Sequence, residues 1–197
     1  MYKASSDDIK KIRDMTGAGM MDCKKALEEF EGDMAKAVDE LRKKGLAKAA
    51  KRMDRETSVG RVCSYIHGEG SIGAMIQLNC ETDFVARNED FAELGKALAI
   101  QIAAMNPLAI APEDLDKTVE EREIEVIKEQ LVSEGKKADQ IEKILPGKLT
   151  KFYSEVCLLN QPFYKDDKKT VQEVIKDHIA KFGENITIGR FTRYQVG

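Results

Sequence analysis

Residues 59–80 read VGRVCSYIHGEGSIGAMIQLNC, and this stretch decides the fold. Two runs rich in β-branched, aromatic and other apolar residues, 59–67 and 72–80, flank the turn sequence Gly68-Glu69-Gly70. A short loop that contains glycine between two such runs is typical of a β-hairpin. The stretch therefore predicts two adjacent antiparallel strands.

The end of the chain carries a third strand pattern, in residues 185–196. One face of this predicted strand holds Phe191 and Arg193, and the other holds Ile186, Ile188, Tyr194 and Val196. We find no further strand pattern, so the prediction is a three-stranded antiparallel sheet with helices on one face. Its other face and its edges are left uncovered, and another copy of the chain could cover them.

Two helical patterns adjoin these strands. Apolar residues recur at helical spacing between Phe91 and Met105, and Pro107 ends this predicted helix, which we expect to pack on the sheet. Thr170 begins a second helix that ends at Gly183, since glycine is the usual residue just past a helix end. The core is therefore of the α+β class.

A helical hairpin is predicted between these two helices. Residues 113–133 form one long helical pattern, and residues 138–145 form a shorter one that Pro146 and Gly147 close. Residues 149–159 add a further apolar stretch. Such neighbouring segments can pack as an antiparallel pair.

The first 45 residues predict a small module of three short helices. Ser5 or Ser6 can cap the first helix, and Asp33 can cap the third, which should end before Gly45. Three short helices provide only a limited core.

Residues 46–55 are rich in alanine and basic residues and predict a solvated helical linker. No aromatic residues alternate with the bases, so a connector is favoured over an arm that binds nucleic acid. The predicted domains are the module with its linker, 1–55, and the α+β core, 56–197.

Composition argues against several classes of function. Charged residues make up 34% of the 197 residues, but the formal net charge is only -3, so general attraction to nucleic acid or to an anionic membrane is not expected. No run approaches the ~18 apolar residues of a membrane span. Residues 1–8 lack the pattern of a secretory signal. We expect a soluble, cytoplasmic protein.

The sequence predicts neither catalytic residues nor a metal or cofactor site. Its four cysteines have no CxxC spacing, and its two histidines lie far apart in the sequence, so the pattern of a zinc or redox site is missing. The cysteines are predicted to be free thiols that are buried or half-buried. No phosphate-binding loop, zinc-protease motif or nucleophile–histidine set is present.

The segment that leaves the second strand is the candidate binding site. Residues 79–88 read NCETDFVARN and place Phe84 and Val85 among polar residues at a strand exit. Spacing alone is equally consistent with a core aromatic, and the polar neighbours favour exposure. The acids Glu81 and Asp83 offer too few converging oxygens for a metal cage.

Residues 79–88 and residues 16–27, TGAGMMDCKKAL, resemble the two signatures of the elongation factor Ts family. The resemblance covers nearly the whole chain. It implies a non-enzymatic guanine nucleotide exchange factor for elongation factor Tu, with a first module similar to the ubiquitin-associated fold. The chain resembles the short, single-core form of the family, which implies a homodimer joined through the sheets.

The resemblance also implies site residues. Those of the tip that enters the nucleotide domain of elongation factor Tu are Thr82, Asp83, Phe84 and Val85. The Phe84 ring would act as a wedge that disturbs the magnesium site beside the nucleotide. Residues implied to dock the N-terminal module on the same partner domain are Met20, Met21, Lys24 and Lys25, although both methionines could equally pack inside their own module. The hairpin region 135–152 is implied to make a contact elsewhere.

Three other functions remain possible from the residues alone. The chain could be a helical adaptor for a ubiquitin-like or nascent-chain partner, which would leave residues 79–88 without a role. It could bind RNA through residues 42–55. It could be an enzyme built on Cys80 and Glu81, although no base to orient them is evident.

Overall fold

The computed structural model describes residues 2–197 and is of the predicted α+β class. Its helices are α1 (Ser6–Thr16), α2 (Met20–Glu29), α3 (Met34–Ala50), α4 (Asp83–Ala86), α5 (Glu89–Met105), α6 (Lys117–Ser133), α7 (Ala138–Val156) and α8 (Val171–Phe182). Its strands are β1 (Val59–His67), β2 (Ile72–Cys80), β3 (Pro162–Phe163), β4 (Asp166–Thr170) and β5 (Ile186–Gln195). The predicted hairpin and last strand form one three-stranded antiparallel sheet in the order β1-β2-β5, which confirms the sequence prediction.

The chain divides into two compact units. The first comprises the chain up to Val62 together with Gln77–Glu93 and Glu173–Gly189. The second comprises Cys63–Ile76, Leu94–Gln172 and Arg190–Gly197. The domain boundary between residues 55 and 56 stays a prediction.

The N-terminal module consists of three helices, α1 to α3, and two of them have the capping residues that the sequence predicts. Ser5 caps α1 by accepting the Asp8 N–H at 3.1 Å, and Asp33 caps α3 by accepting the Lys36 N–H, also at 3.1 Å. The module encloses its own small core, formed by Ile12, Cys23, Ala26, Leu27, Ala37, Val38 and Leu41.

The prediction that the third helix ends before Gly45 is wrong, because α3 continues to Ala50. Glycine inside a helix costs about 1 kcal/mol, which is too little to end a helix that packing supports. Here the missing side chain has a use, because a Cβ atom on Gly45 would lie 3.2 Å from the Cβ atom of Ala180 on α8. Gly45 therefore permits a close approach between α3 and α8.

The helical hairpin consists of α6 and α7, and its turn lies near Gly135, which has a φ of 76°. The prediction that Pro146 and Gly147 close a short helix is wrong, since α7 runs through both residues. Proline removes one backbone donor, and the hydrogen bonds on either side keep the helix continuous. No residue of α7 is fully buried.

A small second sheet was not predicted from the sequence. Strands β3 and β4 pair antiparallel, although β4 reads DDKKT and lacks the usual strand residues. Tertiary contacts hold this pair, because the buried Gln101 side chain donates to the Gln161 side chain at 3.2 Å and to the Pro162 carbonyl at 3.0 Å. The expectation of no further strands is therefore wrong.

The last strand does not present one continuous apolar face. Ile186 is buried, whereas Tyr194 is 73% exposed. Arg193 donates to the Ala103 carbonyl of α5 at 3.0 Å, so its neighbour Tyr194 points away from that helix. Tyr194 belongs instead to an uncovered surface that we call the open sheet face, together with Ile66 and Met75.

No helix within residues 2–197 has the length and apolar character needed to cross a membrane.

Candidate functional site

The tip segment, residues 82–85, begins two residues after the end of β2 and contains the N-cap and first three residues of the single-turn helix α4. Thr82 is the N-cap residue, and its hydroxyl oxygen accepts the Val85 N–H at 3.5 Å. Asp83 pairs with Arg87 at 3.2 Å, four residues on. The turn is therefore closed by its own side chains.

Phe84 is the most exposed large hydrophobic residue of the described chain, with 83% of its surface accessible. An exposed ring of this size is uncommon, because burying it would be favourable. The structure resolves the choice left open by the sequence in favour of exposure. Val85 is buried, so Asp83 and Phe84 are the side chains that the tip segment presents to solvent.

Two residues distant in sequence hold the tip segment in place. Glu184 accepts the Thr82 N–H at 3.0 Å and the Thr82 hydroxyl at 2.6 Å. The neighbouring Glu81 carboxylate accepts the Asn185 N–H at 2.6 Å. No sequence pattern identifies Glu184 and Asn185 as part of the site, because they lie about a hundred residues from the tip and belong to no motif of their own.

The buried Asn185 side chain extends this support to the chain before β1. Its amide donates to the carbonyl of Met53 at 3.0 Å and to that of Arg55 at 2.7 Å. Arg55 also lies 3.4 Å from the Glu81 carboxylate. Residues around 53–55, 81–82 and 184–185 therefore form one hydrogen-bonded group at the base of the tip segment.

The second candidate surface lies on α2. Met20 is 61% exposed and Met21 is 64% exposed, so neither methionine packs inside the module. Lys24 and Lys25 are also exposed, and a spacing of four residues places both pairs on one helix face. The opposite face of α2 is buried in the module core through Cys23, Ala26 and Leu27. We call these four exposed residues the module surface.

Helix α8 contacts both the module and the segment after the tip. A Cβ atom on Gly17 would lie 3.0 Å from the Lys181 side chain, so the α1–α2 loop packs closely on α8. The Lys181 ammonium pairs with Asp90 at 2.6 Å, near the start of α5. The rings of Phe91 and Phe182 meet edge to face at 6.3 Å.

The enzyme hypothesis finds no support in the geometry around Cys80. The Cys80 thiol is fully buried, donates to the Thr82 carbonyl at 3.2 Å, and has its pKa raised by burial. A thiol of this kind is a poor nucleophile. All four cysteines are buried and free, as predicted. Residues 2–197 contain no cluster of three or more side chains that could hold a metal ion.

The α+β fold, the exposed tip segment and the exposed module surface together are typical of a protein that binds another protein. The family model described as Elongation factor TS matches residues 3–197. A relative named Elongation factor Ts from Leptospira biflexa is 58% identical over 193 residues, which cover 98% of each chain. Relatives with the same name from Oleidesulfovibrio alaskensis and Moorella thermoacetica are 57% and 55% identical, and the matches cover at least 94% of every chain compared.

The chain therefore belongs to the elongation factor Ts family. Membership of this family implies nucleotide exchange for elongation factor Tu in translation elongation, and such exchange makes or breaks no covalent bond.

Proposed function

We propose that this chain is a guanine nucleotide exchange factor that releases GDP from elongation factor Tu through its tip segment, Thr82 to Val85. The observation that carries the proposal is the Phe84 ring, 83% exposed on a short helix that is capped and held from below. Its setting suits an apolar wedge, because the ring is free to enter a partner while its backbone is fixed.

In the proposed mechanism the Phe84 ring enters between helices of the partner's nucleotide domain. The displacement disturbs the groups that hold the magnesium ion beside the nucleotide, and the phosphates then lose their main counter-charge. Each tenfold gain in the release rate needs ~1.4 kcal/mol, which a few wedge contacts and a weakened metal interaction can supply. Asp83 contributes charge beside the wedge, while Thr82 and Val85 fix its base.

Coupling of this kind is reciprocal. If the chain weakens nucleotide binding to its partner, the nucleotide weakens binding of the chain by the same factor. Rebinding of either nucleotide therefore releases the exchange factor, and the cycle needs no energy input from this protein. Nucleotide supply and intrinsic affinities set the final ratio of GDP to GTP on the partner.

The module surface is the proposed second contact with elongation factor Tu. Met20 and Met21 supply flexible apolar area, and Lys24 and Lys25 supply positive charge beside it. Two contacts on the same partner would orient the tip segment at the nucleotide site.

We further propose that two copies associate through their open sheet faces. Ile66 and Tyr194 are 61% and 73% exposed in the single chain, and Met75 is also exposed. An exposed apolar face with free sheet edges is a common site of self-association, and an interface that repeats the same surface on both copies closes as a dimer. We place this homodimer in the cytoplasm, where nucleic acid takes no direct part in its action.

Stopped-flow release of fluorescent GDP from elongation factor Tu tests the proposal. The chain should accelerate release in a concentration-dependent manner, and the effect should saturate. No acceleration would overturn the proposal and favour an adaptor. Salt-dependent binding of single-stranded RNA by residues 42–55 would favour the RNA-binding alternative.

A further inference from the structure

We infer that Glu184 is a positioning residue for the tip segment and acts on nucleotide exchange through Phe84. The inference rests on the proposed function. Glu184 lies between the end of α8 and the start of β5, far from the tip in sequence, and its carboxylate takes both polar hydrogens that Thr82 offers.

The Phe84 ring has no packing that could fix its direction, because it is almost fully exposed. Its direction therefore depends on the backbone of α4, a helix of four residues. Helices this short are not stable by themselves, so their conformation depends on caps and tertiary contacts. The cap of α4 is Thr82, and the tertiary contact of Thr82 is Glu184.

The three groups form a directed chain of hydrogen bonds. The Val85 N–H points to the Thr82 hydroxyl oxygen, and the Thr82 hydroxyl donates to Glu184. An ionised carboxylate only accepts, so it determines which way the hydroxyl proton points and leaves the oxygen lone pairs free for the cap. The second Glu184 oxygen accepts the Thr82 N–H, and bonds to a charged acceptor are roughly twice as strong as neutral ones.

Glu184 is itself held at its base. Asn185, the next residue, donates its N–H to Glu81 and its side-chain amide to two carbonyls. The fully buried Asn185 side chain thus fixes the backbone that presents the Glu184 carboxylate. The hydrogen bonds of Asn185 therefore fix the position of Glu184, and through Thr82 that of the backbone that carries the Phe84 ring.

Two substitutions of Glu184 distinguish the effect of its charge from the effect of its hydrogen-bonding geometry. The glutamine amide can accept the Thr82 N–H and donate to the Thr82 hydroxyl oxygen, so Glu184→Gln should preserve much of the geometry. Glu184→Ala leaves both Thr82 donors without their partner. Glu93→Ala is a matched control, because Glu93 is an exposed acid on α5 within the same compact unit.

The experiment measures GDP release from elongation factor Tu over a range of concentrations of each full-length variant. Glu184→Ala should lower the saturating release rate roughly tenfold, because Thr82 then loses both hydrogen bonds that hold the tip segment. Glu184→Gln should recover most of that rate, and Glu93→Ala should match wild type. Half-saturating concentrations should change less than the saturating rates, since the module surface is intact.

A double variant distinguishes positioning from a merely structural role. In the Phe84→Ala background, Glu184→Ala should cause no further loss of rate, because both changes act through the same ring. Additive losses, or a wild-type saturating rate for Glu184→Ala, would overturn the inference. If Phe84→Ala alone exchanges at the wild-type rate, the proposed function fails instead, so the two failures are distinguishable.

Discussion

Phe84 and Val85 are consecutive residues, yet Phe84 is 83% exposed and Val85 is 9% exposed. Consecutive residues of a helix point about 100° apart, so α4 directs one apolar side chain into the protein and the other into solvent. The energy of burying Val85 helps to hold the turn that displays Phe84.

Replacing Phe84 with alanine should remove most exchange activity and leave the fold intact. The exposed ring loses no internal packing when it is truncated, so the melting temperature should stay at the wild-type value. The saturating rate of GDP release should fall at least roughly tenfold, a loss of ~1.4 kcal/mol or more. Asp83→Ala should show a smaller loss.

Leu98→Ala provides the opposite result and serves as the control. Leu98 is fully buried on α5, and truncating such a residue costs roughly 2–5 kcal/mol through lost burial and a cavity. Thermal unfolding should show this loss, with activity per folded molecule retained. A large drop in melting temperature for Phe84→Ala would instead identify Phe84 as structural.

Charge on the open sheet face should separate the proposed dimer. A double variant, Ile66→Lys with Tyr194→Lys, places two like charges per chain on the surface that the copies would share. Sedimentation should show twice the chain mass for wild type and a single chain for the variant, with unchanged helix content by circular dichroism.

Val132→Lys is the matched control for the dimer, because Val132 is 62% exposed on α6 and lies outside the open sheet face. It should sediment as wild type does. A wild-type chain that is monomeric at micromolar concentration and fully active would contradict the proposed assembly.

Two glycines should respond to alanine in opposite directions. A Cβ atom on Gly60 would collide with the Leu78 carbonyl oxygen in β2, so one of the two paired strands must move. We expect Gly60→Ala to lower the free energy of unfolding by about 1–3 kcal/mol or more.

Gly147→Ala should raise stability instead, by about 0.5–1 kcal/mol, because Gly147 lies exposed inside α7 and the added Cβ would have no atom within 4 Å apart from its neighbours in the chain and the local helix backbone. Urea denaturation of both variants checks the pair. Equal changes in the free energy of unfolding for the two variants would show that the lack of space around Gly60 does not limit which residue fits there.

Stability should fall in mildly acidic solution because of His178. Burial lowers the pKa of the His178 ring below its usual value of 6.5, and Lys181 adds to this, while the Val174 carbonyl, Asp177 and Asp90 oppose it. The unfolded chain then takes up the proton at higher pH than the folded chain. The neutral His178 ring therefore contributes to the free energy of unfolding fully above about pH 6.5, and this contribution is lost as the pH falls through the lower pKa of the folded state.

His178→Gln should flatten the pH dependence in that window, because the amide does not titrate. Melting temperatures measured between about pH 7.5 and about pH 5 should fall more for wild type than for the variant. Parallel curves for the two proteins would refute the assignment.

Local patterns determined most of the secondary structure. The run of residues around the GEG turn predicts β1 and β2, and capping residues such as Ser5 and Asp33 predict where helices begin, because these signals act over only a few residues. The same locality explains the errors. Gly45 and Pro146 interrupt helices in isolation, whereas packing and neighbouring hydrogen bonds maintain α3 and α7 in the fold.

The sequence by itself also identified residues 79–88 as the candidate binding segment and determined the family to which the chain belongs. Only the tertiary structure decided that Phe84 points outward while Val85 is buried, and that Glu184 holds Thr82 from about a hundred positions away. The strand β4 likewise forms despite its charged residues, because the buried Gln101 side chain bonds the adjoining backbone. Burial and long-range hydrogen bonds exist only after the chain has folded, so no local pattern could encode them.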